Sequence, residues 1–120
     1  MYKNVNIKYH EIFNVETLRM HPPVPVLNRT CTKKYTVPES NITLKVGEKL
    51  IIPIYALHHD SSYYPKPEMF DPERFTEENK ALRPHGTFLP FGDGPRFCIG
   101  NFFLLELLYI HYVNEFMNVF

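Results

Sequence analysis

A chain of 120 residues with 44% hydrophobic content is long enough to bury one core, and its 13 basic and 13 acidic residues leave a formal net charge of zero. That balance excludes a partner held by a broad electrostatic field, nucleic acid and an anionic membrane surface among them. Two cysteines, Cys31 and Cys98, make no disulfide framework, no CxxC-type zinc spacing occurs, and no run reaches the roughly 18 apolar residues of a membrane span. The first ten residues, "MYKNVNIKYH", lack the apolar stretch of a signal peptide, so the sequence predicts neither signal nor anchor, and free thiols fit a reducing compartment.

In chain order, residues 6–20 predict a helix that stops at "HPPVP", because a proline disfavours helical geometry in the residue before it. Between Leu27 and Ile54 the pattern changes to strands. "TKKYTV", "NITLKV" with Ile42, Leu44 and Val46 on one face, and "KLIIPI" after a turn at residues 46–49 predict one small antiparallel sheet. A short helical piece near "IYALHHD" leads into a meander whose prolines at 65, 67 and 72 keep it irregular, and long loops of this kind usually have a role. Then comes "FGDGPRFCIG" at 91–100, followed by "NFFLLELLYIHYVNEF", a helical pattern apolar on every side that belongs deep inside a larger protein.

On the first helix Ile12, Phe13, Val15 and Met20 form an apolar arc, and Glu16 and Arg19 point into its middle. Most pairs at this i,i+3 spacing are surface salt bridges contributing about 0–1 kcal/mol. A pair aimed at a core needs further partners, since each buried ion otherwise costs several kcal/mol. Arg74, in the "PERF" of the meander, is the candidate third member; a planar guanidinium can bind a carboxylate through two hydrogen bonds and still reach backbone carbonyls.

Cys31 reads as a small buried hydrophobe, whereas Cys98 sits where a glycine-rich loop enters a helix, and helix-terminal N–H groups favour a thiolate there. Glycine at 94 permits a tight turn, and glycine at 100 lets a flat ligand approach. In an extended loop Arg96 points the same way as Cys98, as suits an anionic group on the same cofactor. A single metal ion bound by one thiolate needs further ligands from the chain; a porphyrin brings four of its own, so haem accounts for a lone cysteine.

Together "ETLR", "PERF" and "FGDGPRFCIG", in this order, resemble the C-terminal signatures of the cytochrome P450 family. The stretch between them resembles its eukaryotic microsomal branch, insect enzymes that oxidise foreign lipophilic compounds in particular. The resemblance runs from about Phe13 to Gly100. It implies an α+β, mainly α architecture, the C-terminal portion of the cytochrome P450 fold, with residues 1–120 as one partial domain. It implies haem b, iron protoporphyrin IX, with Cys98 as the axial thiolate on iron, Phe91 shielding the sulfur and Gly100 beside the haem. Arg29 and Arg96 match propionate-binding positions, and Glu16, Arg19 and Arg74 match the structural triad. His58 is a further propionate candidate, weighed against the reading of His58 and His59 as ordinary, partly exposed histidines. No catalytic residue beyond the haem ligand is implied within this chain.

The function so implied is that of a haem-thiolate monooxygenase. Its parent would insert an oxygen atom from O2 into a lipophilic small molecule with electrons from NADPH-cytochrome P450 reductase, at the cytosolic face of the endoplasmic reticulum membrane. The threonine-bearing (A/G)-G-x-x-T stretch that delivers protons to oxygen has no counterpart. Two other readings therefore stand beside the first: a remnant or haem-binding fragment without turnover, and a haem-thiolate isomerase or dehydratase. After Gly100 the family's arginine position holds Phe102, and Glu106 comes one residue early, which turns a following helix by about 100°. Together with the missing closing strands, this pattern fits a gene fragment, a wrong gene model or a pseudogene.

Overall fold

A computed structural model describes residues 3–100; the final helix expected after Gly100, with Phe102 and Glu106, lies outside them. Helix α1 spans Lys3–Met20 and ends where expected, its last turn closed by the His21 amide donating to the Thr17 carbonyl at 2.8 Å before Pro22 and Pro23. Its buried centre is ionic rather than apolar. Glu16 and Arg19 are fully buried beside Leu18, while Ile12, Val15 and Met20 are only half covered. Phe13 is exposed, with its ring edge against Phe70 at 4.8 Å.

The expected single sheet is instead two. Strand β1 (Leu27–Thr30) pairs antiparallel with β4 (Lys49–Ile52), in the register Leu27 to Ile52 and Thr30 to Lys49, and β2 (Tyr35–Thr36) pairs with β3 (Thr43–Leu44). The turn at 45–48 explains the split. Gly47, at φ +90°, donates its N–H to the Cys31 carbonyl at 2.8 Å, and the Cys31 N–H donates to the Glu48 carbonyl at 2.8 Å. The turn is thereby docked on buried Cys31, and the chain leaving it runs along β1 rather than back along β3. Of Ile42, Leu44 and Val46, which alternate onto one face, Leu44 is half-buried while Ile42 and Val46 are exposed.

Helix α2 (Ile54–His58) follows Pro53, and its i,i+4 pair Ile54 and His58 is buried on one face. The meander then closes on itself. Asp71 caps a 3₁₀ turn over Pro72–Phe75 by accepting from the Glu73 amide at 3.2 Å, which drives Phe75 into the interior. A further helix, α3 (Glu77–Leu82), was not foreseen in the sequence; Thr76 caps it, and it buries no side chain. The buried interior of the described residues joins Leu18, Cys31, Ile54, Tyr64 and Phe75 to the polar Glu16, Arg19, His58 and Thr87. Helices and small antiparallel pairs make this an α+β arrangement.

Arg83 ties the meander together. Its guanidinium lies 4.7 Å from the Tyr64 ring centroid and 4.5 Å from that of Phe75, and it donates to the Arg74 carbonyl at 2.5 Å. Contacts of a half-buried cation with a ring contribute about 0.5–2 kcal/mol each. Arg83→Met is expected to lower the unfolding free energy in urea by about 2 kcal/mol, with Arg83→Lys recovering only part of it because an ammonium cannot stack flat between rings.

Candidate functional site: a cysteine loop joined to a buried ion-pair node

Glu16 and Arg19 meet through two parallel hydrogen bonds, Arg19 Nε to Glu16 Oε2 at 2.7 Å and Arg19 Nη2 to Glu16 Oε1 at 2.8 Å. Burial makes every remaining lone pair and N–H on this pair costly unless it is met. Backbone groups meet them. Arg19 Nη1 donates to the His58 carbonyl at 2.9 Å, Arg19 Nη2 donates to the Pro67 carbonyl at 2.8 Å, and Glu16 Oε1 accepts from the Asp71 amide at 2.9 Å. The irregular meander is thus bent around two side chains of α1. Arg74 is brought to the same place, its Nε 3.7 Å from Glu16 Oε1 and 3.8 Å from Asp71 Oδ2. At that distance it adds positive charge but no hydrogen bond, and Arg74 Nε is a buried nitrogen without a hydrogen-bond partner among the described residues.

His58 is fully buried, which corrects its reading as a partly exposed histidine and withdraws it as an accessible group for a propionate. Its ring stacks on Phe88 at 5.2 Å between centroids. Nε2 lies 2.9 Å from the Leu89 amide, which can only donate, and Nδ1 lies 3.2 Å from the Arg19 carbonyl, which can only accept. The neutral imidazole therefore carries its proton on Nδ1. Burial pushes its pKa down to about 4; the hydrogen bond to the Arg19 carbonyl opposes that, and the charges of Arg19, His59 and Arg83 reinforce it. The sequence held one signal for this burial: Ile54 and His58 share a helical face.

The loop begins at Leu89, whose carbonyl accepts from the Gly92 amide at 3.1 Å. Gly92 and Gly94 both lie at φ +76°, and a 3₁₀ turn follows over Gly94–Arg96. This coiling corrects the expectation of an extended loop at Arg96, so alternation along a strand does not aim its side chain; Arg96 is exposed. The Cys98 amide donates to the Phe91 carbonyl at 3.0 Å, closing the loop at its base. The Cys98 thiol is exposed, with Phe97 and Ile99 exposed on either side of it. A Cβ built on Gly100 would stand 3.7 Å from Cys98 Sγ, so glycine there leaves the flank of the sulfur open. Arg29, half-buried on β1, approaches the same loop: its Nη2 is 3.4 Å from where a Gly92 Cβ would stand.

An accessible thiol, flanked by apolar side chains and with a guanidinium from β1 packed against its loop, is a donor set that fits a haem and supplies too few ligands for a bare metal ion. Among the described residues no group of three or more His, Cys, Asp or Glu side chains is placed to hold a metal.

The family model described as Cytochrome P450 matches residues 3–107. The chain is 52% identical over 101 residues to cytochrome P450 9e2 of Blattella germanica, covering 83% of this chain and 19% of that protein. It is 48% identical over 99 residues to cytochrome P450 6j1 of the same insect, covering 82% and 20%. Against the probable cytochrome P450 6d4 of Drosophila melanogaster it is 50% identical over 84 residues, 70% of this chain and 16% of that one. The chain belongs to the cytochrome P450 family, in an insect-like branch, and spans about a fifth of the length of these relatives.

Proposed function

We propose that residues 1–120 form the C-terminal, haem-binding part of a haem-thiolate monooxygenase. The observation that carries this reading is the exposed Cys98 thiol on a loop closed by the bond between the Cys98 amide and the Phe91 carbonyl, in a chain of this family. Cys98 would supply the axial thiolate to haem b, with Phe91 beside the sulfur and Gly100 leaving room for the porphyrin. The bond from the Cys98 amide to the Phe91 carbonyl fixes the base of the loop and supports the placement of the sulfur. Arg29 and Arg96 would hold the propionates through charge-assisted hydrogen bonds. Glu16, Arg19 and Arg74 would act architecturally, fastening the meander to α1. Haem held there would supply the redox chemistry that activates O2, with Cys98 as its thiolate donor.

The parent reaction would insert one oxygen atom into a lipophilic small molecule and release the other as water, with protons from solvent and electrons from NADPH-cytochrome P450 reductase. By its resemblance to the microsomal branch of the family it would work at the cytosolic face of the endoplasmic reticulum membrane. Among the described residues no helix is long and apolar enough to cross a membrane.

The test is spectroscopic. The chain is loaded with haem, reduced and exposed to carbon monoxide, and the red-shifted Soret band of thiolate-ligated iron is expected. Cys98→Ala removes that band and Cys31→Ala, at the buried thiol, keeps it; a wild-type protein without the band overturns the assignment. Arg29→Leu and Arg96→Leu are each expected to weaken haem retention about tenfold or more in transfer assays to a haem acceptor, the loss of one charge-assisted hydrogen bond.

A further inference from the structure

The ion-pair node and the cysteine loop are far apart in sequence, yet an unbroken series of hydrogen bonds connects them. Arg19 Nη1 donates to the His58 carbonyl, and the His58 ring answers by donating from Nδ1 to the Arg19 carbonyl. From the other side of the same ring, Nε2 takes the Leu89 amide at 2.9 Å. The Leu89 carbonyl takes the Gly92 amide, and one residue before Gly92 the Phe91 carbonyl takes the Cys98 amide. Phe88, the neighbour of Leu89, stacks on the His58 ring and tilts against Phe75 at 4.8 Å, so the segment is also held by packing. The charged and titratable groups about the ring are Arg19 from α1, His59 on its own element, Arg83 after α3, and Tyr64, whose ring lies edge-on at 6.4 Å.

We propose that His58 is a positioning residue for Cys98: as a neutral imidazole protonated on Nδ1, it transmits the placement of the Glu16–Arg19 node to the start of the cysteine loop. This inference rests on the proposed role of Cys98 as haem ligand. The ring is suited to the task because its two nitrogens point in different directions, one as donor and one as acceptor, and so can clamp two backbone segments that share no other hydrogen bond. A phenylalanine would preserve the stack on Phe88 and strip both hydrogen bonds, leaving the Arg19 carbonyl and the Leu89 amide without their partner. A glutamine keeps a donor and an acceptor without a titratable ring.

Wild type, His58→Gln, His58→Phe and Ile54→Val are compared, the last as a packing variant on the same helical face. In His58→Phe the Leu89 amide is expected to exchange with solvent about tenfold faster, and the haem-loaded, reduced, CO-bound protein is expected to lose most of its thiolate-type Soret band. His58→Gln restores both, and Ile54→Val leaves both near wild type. Unchanged Leu89 exchange and an unchanged band in His58→Phe overturn the proposal, as does equal loss of the band in Ile54→Val. If His58→Phe does not fold, nitrogen chemical shifts of the wild-type His58 ring decide: a protonated Nδ1 and bare Nε2 support the clamp, and the opposite tautomer overturns it. A wild-type protein lacking the thiolate band defeats the haem reading alone, because the Leu89 exchange rates still decide the clamp.

Discussion

Arg19→Ala is expected to cost about 3–5 kcal/mol, a large share of the roughly 5–15 kcal/mol that holds a small domain folded. The substitution leaves the Glu16 carboxylate fully buried with its bidentate partner gone, and it strands the carbonyls of His58 and Pro67 as well. Arg19→Lys is expected to recover little, since an ammonium reaches one carboxylate oxygen but cannot span from Glu16 to His58 and Pro67 together. Glu16→Gln tests the other half of the pair: it keeps the shape and one acceptor but leaves the charges of Arg19 and Arg74 without the carboxylate they share. Urea denaturation followed by far-ultraviolet circular dichroism reads all three, and a loss below about 1 kcal/mol for Arg19→Ala, the range of a surface pair, would contradict the buried node.

The second large effect is acid lability from His58. Burial holds its folded pKa at about 4, against 6.5 for an exposed imidazole. Between those values the unfolded chain binds a proton that the folded chain refuses, so stability rises with pH through this window. The contribution of the neutral ring is fully present above about pH 6.5, declines as pH falls, and is exhausted near pH 4. Refusing one proton across that window amounts to about 3 kcal/mol, since a tenfold change in proton activity corresponds to about 1.4 kcal/mol. His58→Gln removes the titration. The difference in unfolding free energy between wild type and His58→Gln, measured from pH 7 down to pH 4, is therefore expected to move in the variant's favour by about that amount. A constant difference across the range would mean that the ring is not buried neutral.

Much of this was legible along the chain because the chemistry is local. A glutamate and an arginine three apart on a helix must touch, prolines after His21 must end that helix, and glycines around a lone cysteine must shape a special loop; each inference needs only helix periodicity or allowed backbone angles. The same locality misled at Arg96, where a left-handed Gly94 followed by a proline coils the chain into a 3₁₀ turn that alternation cannot describe. It misled at 41–54 too. Strand pairing is a choice between partners, and Cys31 made it by binding both sides of the turn that follows β3.

The buried node shows the division most clearly. Sequence named Glu16, Arg19 and Arg74, but it could not name the acceptors that make burial tolerable, since these are main-chain groups of His58, Pro67 and Asp71, identical in kind at every residue and distinguished only by where the chain lies. His58 was visible as a histidine, and only the tertiary structure decided that it is dry, neutral and held from both nitrogens, because burial is set by what packs on the ring, Phe88 and Tyr64, rather than by the ring itself. By itself the sequence determined the kinds of chemistry present, one thiol in a glycine-rich loop and one aimed ion pair. Folding decided which backbone groups meet them, since a hydrogen bond depends on distance and direction between segments that sequence leaves tens of residues apart.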